Sequence, residues 1–243
     1  MRRLVMASKK RILGRFYETA AFCATLFRRF TGITHDIPYL NQFGTVHGVR
    51  KILDRGIRPS DLFHAWLSYG ARNRDEFDRL AYECCGMTCL AMILAHTNPS
   101  KARPLELFHH SLEYGCYQLS PDGEIRGLFH EPFVKFLRTV GLQGNTSQFV
   151  GPYFITRELA RGHYVIASVN WEIREKNPHP RRRGGHLVLV TGVEKTRFGI
   201  DGFYIHNPSG TLPENQKHHF VTLHNFLRCF SGNVISIWPQ QPH

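Results

Sequence analysis

The stretch AYECCGMTCLAMIL, residues 81–94, sets two adjacent cysteines, Cys84 and Cys85, ahead of a glycine and an apolar run. Cys85, Cys89, Met92 and Ile93 recur at i, i+4, i+7 and i+8, the spacing of one helix face, and a helix is expected from Gly86 to His96. Cys85 then falls in the first turn. Unpaired backbone N–H groups and the positive end of the helix dipole favour thiolate there, which lowers a cysteine pKa. The same position supplies a backbone N–H for an oxyanion, and Gly86, as a small neighbour, lets a substrate backbone approach. Metal ligand, disulfide half, buried packing and nucleophile are the competing readings of the pair.

A zinc site built from Cys84, Cys85, Cys89 and His96 needs four converging ligands, and no pair of CxxC motifs supplies them, so no metal or cofactor is expected. The six cysteines, at 23, 84, 85, 89, 116 and 229, are dispersed, and adjacent cysteines are poor disulfide partners for each other. A reduced, cytoplasmic setting is expected. Cys89 reads as core, and Cys84 as a neighbour without a catalytic role.

Around this stretch the first 145 residues read as mostly helical. TGITHDIPYLNQFGT (31–45) is extended, because Pro38 restricts its predecessor. KILDRGI and SDLFHAWLSYGA read as helices, the second opening on Ser60 as N-cap. PLELFHHSLEYG and EPFVKFLRTVGL follow, with Gly115 and Gly141 as stops. After Gly151, YVIASVNW (164–171), HLVLVTGVE (186–194), GFYIHNP (202–208) and NVISIWP (233–239) read as strands, and FGIDGF turns the second into the third. A helical N-terminal half packed on an antiparallel sheet is an α+β architecture.

The sheet half offers a base. In RRGGHLVLVTGV, His186 opens a strand on which Val188 and Val190 share its face, while Leu187 and Leu189 share the other. If His186 faces the helix of Cys85, its imidazole can take the thiol proton and later protonate the leaving group. In IHNPSG, Asn207 stands at the end of the hairpin partner, where an amide fixes the imidazole tautomer. Asn207 before Pro208 is also ordinary turn chemistry. His206 alternates to the opposite face and is left out.

The chain has 243 residues, 42% of them hydrophobic, enough for one core. We expect a basic helical extension over 1–30 and one domain over 31–243. The net charge is +12, from 31 Lys and Arg against 19 Asp and Glu, and much of the excess sits in the first thirty residues and in RRR at 181–183. No helix-turn-helix, zinc-finger or RNP pattern accompanies it, so nucleic acid is not an expected partner. Glu18 and the short apolar run AAFCATLF fit neither a signal peptide nor a membrane span. A basic amphipathic helix fits, with Ile12, Phe16, Thr19, Ala20 and Cys23 on one side, packed on the domain; membrane-surface contact, an organellar presequence and a propeptide-like arm are the alternatives. Trp171 and the arginine loop before Gly184 read first as a solvated loop; the alternative is that they border the cleft and that the arginines attract acidic substrate segments.

CCGMTCLAMIL, GGHLVLVTGV and GFYIHNPSG together resemble the three motifs of the C39-like branch of papain-like cysteine peptidases, whose founding members cleave leaders from bacteriocins. IPYLNQF resembles that family's opening segment, which ends in a glutamine completing the oxyanion hole, here Gln42. The resemblance spans roughly residues 35 to 238. It implies a papain-like fold, a peptide or protein substrate and a Cys85–His186–Asn207 triad working through a thioester. The match departs from the family in two places: Gln42 lies far before the cysteine, and asparagine stands where aspartate is frequent. No transporter domains follow, so a stand-alone form is expected and the bacteriocin substrate does not carry over. The same triad serves transamidation or deamidation, and a non-catalytic peptide-binding module is the reading from outside enzymology.

Overall fold

The computed structural model describes residues 2–25, 31–34, 36–121, 124–197 and 199–240. The chain opens with helix α1 (Arg2–Thr25) and a short strand β1 (Gly32–Ile33). Helices α2 (Val49–Arg55), α3 (Pro59–Leu62), α4 (Arg74–Leu80), α5 (Cys85–Thr97) and α6 (Pro104–Leu112) follow. A small hairpin, β2 (Tyr117–Leu119) and β3 (Ile125–Gly127), leads to α7 (His130–Leu137). The second half alternates: β4 (Leu142–Ser147), α8 (Pro152–Ala160), β5 (Tyr164–Val169), β6 (His186–Thr196), β7 (Gly199–His206), β8 (His219–Thr222), α9 (Leu223–Cys229) and β9 (Val234–Pro239).

Six strands form one antiparallel sheet in the order β4-β9-β5-β6-β7-β8, with β1 added against β6. The near-continuous apolar runs YVIASV and HLVLV follow from burial of both sheet faces. Ile166, Leu187, Leu189, Ile235 and Ile237 pack with Met87, Leu90, Phe108, Phe133 and Phe136 of the helical half. The alternate residues Val165, Ala167, Val188, Val190 and Val234 pack with Phe154, Ile155 and Leu159 of α8 and Phe226 of α9. The α+β expectation holds, with a second helical layer that the hydrophobic pattern did not disclose.

Other local readings shift. SDLFHAWLSYGA is not one helix: α3 spans four residues, Phe63 leaves it at φ −135°, and a separate 3₁₀ turn covers Trp66–Tyr69. Ser60 lies inside α3 after Pro59 instead of capping it. A tertiary network takes its polar groups, since its N–H and hydroxyl both donate to the Asp78 carboxylate at 2.7 and 2.8 Å. β4, with the sequence LQGNTS, has no strand pattern of its own and forms because β9 pairs with it along its whole length.

The N-terminal helix lies against α8, but not through its apolar stripe. Gly14 rests on the backbone of Phe149, where a β-carbon would sit 2.4 Å from the carbonyl oxygen. One turn on, the Glu18 carboxylate accepts the N–H groups of Gly151, Tyr153 and Phe154 at 3.0, 2.8 and 2.9 Å. Those donors belong to the first turn of α8 and have no partner within the helix, and the helix dipole favours an anion there. This cap and the glycine contact select the docked face, so Ile12 and Phe16 point outward, 67% and 66% exposed. The last residues of the expected 1–30 extension, 26–30, lie outside the described residues.

Glu18→Ala is expected to cost about 1–2 kcal/mol, as lost N-caps do, lowering the urea midpoint and exposing α1 to limited proteolysis. Glu18→Gln, which keeps one acceptor, should recover part of the loss.

Candidate active site

Helix α5 begins at Cys85, as its spacing indicates, with Cys84 as the N-cap residue. Gly86 is not open to an incoming backbone. A β-carbon there would meet Leu128 at 2.8 Å and Leu187 at 2.9 Å, so the glycine serves close approach of α5 to β6. The reason is steric: the small residue faces the sheet instead of solvent. Leu187 is then held at both ends. Its N–H reaches the Cys85 sulfur, and its carbonyl accepts from the Cys89 thiol at 3.6 Å. The β6–β7 ladder starts only at Leu189↔His206, so α5 engages β6 just before that pairing begins.

His186, the residue before Leu187, is buried and opposite Val169 of β5. Alternation sends Leu187 and Leu189 into the α5 layer and Val188 and Val190 into the other. His186 therefore does not face α5 across the sheet, contrary to the condition set by the sequence reading; what links Cys85 to the start of β6 is the N–H of the next residue, Leu187. No hydrogen bond joins the His186 and Cys85 side chains among the described residues.

His186 does meet Asn207, with Nε2 2.9 Å from Oδ1. That amide oxygen also accepts the Ser209 N–H at 3.2 Å. Since a backbone N–H can only donate, the Asn207 atom is the oxygen, and Nε2 must carry the imidazole proton. The lone pair is left on Nδ1. The Ser209 hydroxyl lies 3.2 Å from Nε2 and 3.4 Å from Oδ1, a third member that sequence reasoning did not single out.

Gln42 lies in the segment that ties this cluster to α5. Its backbone N–H donates to the Pro208 carbonyl at 2.9 Å. Two residues earlier, the Tyr39 hydroxyl donates to the Asn207 carbonyl at 2.8 Å. The Gln42 side-chain nitrogen donates to the carbonyls of Ala81 and Tyr82, at 2.9 and 3.4 Å, while its oxygen is buried without a partner. The glutamine thus reaches the segment just before Cys85 despite the long intervening sequence, but its donors are occupied by carbonyls. Cys84 is separated from its neighbour: its thiol is fully buried against the Gln42 and Ala81 carbonyls and the Thr88 hydroxyl.

The electrostatics differ from the sequence expectation. Burial pushes the Cys85 thiol up to about 11, and the Leu187 and Gly86 N–H groups only partly offset it. Desolvation outweighs the helix N-terminus, so the thiol form predominates at pH 7. Burial likewise lowers His186 to about 4; the Asn207 hydrogen bond works against this and the Arg174 charge adds to it. At rest both groups are neutral. Arg174 was also not legible beforehand. It ends the 3₁₀ turn Trp171–Arg174, stacks on Trp171 at 4.8 Å and donates to the Ser209 carbonyl at 3.2 Å. Its link to His186 runs through Ser209, far away in sequence. Among the described residues no three His, Cys, Asp or Glu side chains converge as a metal would require, and all six cysteines are free.

No protein-family model and no curated protein matches the chain. Among solved structures, the chain is similar to the peptidase domain of Streptococcus ComA, a bi-functional ABC transporter involved in a quorum-sensing pathway. Identity is 16%, over 65% of this chain and 93% of that one, with a TM-score of 0.45. It is similar to a C39-like peptidase from Bacillus anthracis, at 12% identity over 65% and 90% of the two chains, with a TM-score of 0.45. It is also similar to a double glycine motif protease from an AMS/PCAT transporter in complex with the leader peptide, at 20% identity over 64% and 84%, with a TM-score of 0.37.

Two buried histidines give the fold a defined pH response. His206 donates from Nε2 to the Ile37 carbonyl and accepts the His218 N–H on Nδ1, so a second proton would break a hydrogen bond. Its pKa is also lowered to about 4, mainly by burial. Both folded values lie below the ordinary 6.5, so the unfolded chain takes up protons first. Their contribution is complete above pH 6.5 and is lost as pH falls toward 4, up to ~3 kcal/mol each. Urea unfolding measured across this range should show that loss, and His206→Asn should roughly halve the pH slope.

Proposed function

We propose that the protein is a cysteine peptidase, hydrolysing a peptide bond in a peptide or protein substrate with Cys85 as nucleophile. The observation that carries this reading is the His186–Asn207 hydrogen bond, which puts the imidazole proton on Nε2 and leaves Nδ1 basic, one residue from the Leu187 N–H at the Cys85 sulfur. The C39-like motifs of the sequence support the same assignment.

With thiol and imidazole both neutral at rest, the proton leaves sulfur as the carbon is attacked, because free thiolate is too scarce to carry the reaction. The S–H proton passes to His186 Nδ1 while sulfur bonds the scissile carbonyl carbon. The C–N bond then breaks, and His186 returns that proton to the departing amine, leaving a thioester. His186 next takes a proton from water as its oxygen attacks the thioester. Loss of sulfur, which recovers the proton, frees the new carboxyl end. The Cys85 backbone N–H is the first oxyanion donor. Gln42 joins it when the side-chain nitrogen gives up its long contact to Tyr82. Asn207 orients the imidazole, and Ser209 and Arg174 hold that orientation from behind. The reduced, cytoplasmic setting belongs to this proposal, because the mechanism needs a free thiol.

Comparing protein termini in cells carrying wild type and Cys85→Ala tests the reaction. Termini that appear only with wild type are the expected result. Uncut chains with altered glutamine side chains would replace hydrolysis by amide transfer or deamidation, and no change at all would leave a binding module. On a cleaved substrate, kcat/KM should rise with pH through about 4, where His186 loses its second proton. Arg174→Gln, by removing a neighbouring positive charge, should move that limb to higher pH. His186→Ala should lose at least about a hundredfold in kcat, the scale of general acid–base catalysis.

A further inference from the structure

The face of α1 turned away from the domain differs in character from the docked one. At 3.6 residues per turn, Ile12, Phe16 and Cys23 lie opposite Gly14, Glu18 and Ala21. Ile12 and Phe16 stand on this ridge two-thirds exposed, with Lys9 and Arg15 exposed beside them. The only acid of α1 is Glu18, and its carboxylate is occupied by the N-terminus of α8. The outward surface of the described helix therefore carries cations and apolar side chains and no anion.

The ridge continues into a groove of about 650 Å³ where α1 meets the loops at one end of the sheet. Arg11, Arg15 and Arg183 line it together with Ile12, Phe149 and Leu227, and none of its lining residues is Asp or Glu. Phe149 takes a left-handed backbone, φ 58°, unusual for a bulky side chain, and its exposed ring lies 5.6 Å from the Arg11 guanidinium. Arg183 stands three residues before His186, so the surface adjoins the end of the sheet that carries the proposed base.

We propose that this ridge and groove seat the protein on the surface of an anionic lipid bilayer. A convex helix face with its largest apolar groups outermost does not enclose a peptide, but it can enter the interfacial layer of a bilayer. The arginines and lysines around it then meet lipid phosphates and carboxylates. Glu18 and Gly14 set the angle of insertion by fixing which side of α1 faces out. The inference is independent of the peptidase reading, since no catalytic residue takes part.

The test is co-sedimentation of the full chain with vesicles of phosphatidylcholine alone and of phosphatidylcholine with about a third phosphatidylserine. Binding is expected only to the anionic vesicles, weakening at least about tenfold when salt rises from about 0.1 to about 0.5 M, as screening requires. Ile12→Asp with Phe16→Asp should lose binding by about tenfold or more while keeping the wild-type urea midpoint, since both side chains are exposed. Lys9→Glu with Arg15→Glu should do the same, and Cys85→Ala should bind as wild type. Equal binding to both vesicle types, no binding, or unchanged binding by the ridge variants would overturn the proposal. Retention on polyglutamate without vesicle binding would overturn it in favour of an acidic polypeptide.

Discussion

The contact between the first turns of α5 and the start of β6 is the constraint on which the rest of the site depends. Two cysteines one helical turn apart, Cys85 and Cys89, meet the N–H and carbonyl of the single residue Leu187. Gly86 makes the approach close enough, since any β-carbon would collide with Leu187 and Leu128. This contact joins the helical half to the sheet half and sets the sulfur beside the residue that follows His186. Because packing and chemistry share these few atoms, substitutions at Gly86 act on both together.

A second tie holds the same junction from the other side. The segment from Ile37 to Phe43 bonds to the sheet through the Asn207 and Pro208 carbonyls and to the helical half through Ala81 and Tyr82. Its backbone and side-chain hydrogen bonds satisfy carbonyls that would otherwise be buried unpaired, a cost of about 1–3 kcal/mol each. His206 belongs to this tie as well, with its imidazole on the Ile37 carbonyl. The two histidines at the same end of the β6–β7 hairpin thus have separate tasks. His186 keeps a basic nitrogen free of described hydrogen bonds, whereas His206 has both nitrogens in the scaffold.

Burial gives the site its electrical character. A thiol near 11 and an imidazole near 4 are both neutral at physiological pH, and Arg174 adds to the cost of forming imidazolium. His186 is buried and Cys85 only partly exposed, so little solvent reaches a charged pair, and asparagine at 207 orients the ring without adding negative charge. The chemistry proposed for Cys85 therefore depends on geometry and on proton transfer during attack more than on a standing thiolate.

Periodicity alone located α5, α6 and α7, the strands β5, β6, β7 and β9, and the hairpin between β6 and β7, because each carries its own apolar pattern or its own turn glycines. Cys85, His186, Asn207 and Gln42 were likewise legible as residue types in motifs. What lacked a local signal was decided by partners distant in sequence. LQGNTS became β4 by pairing with β9, α8 received its cap from Glu18, and Ser209 and Arg174 joined His186 through contacts that no spacing reveals. Which face of α1 points outward, left open by the sequence, was decided by a carboxylate at a helix N-terminus and a glycine on a carbonyl, which dock the face opposite the apolar stripe. The ionisation of Cys85 was reversed: the helix start favours thiolate, but depth of burial, which only the tertiary structure sets, costs the charged form more.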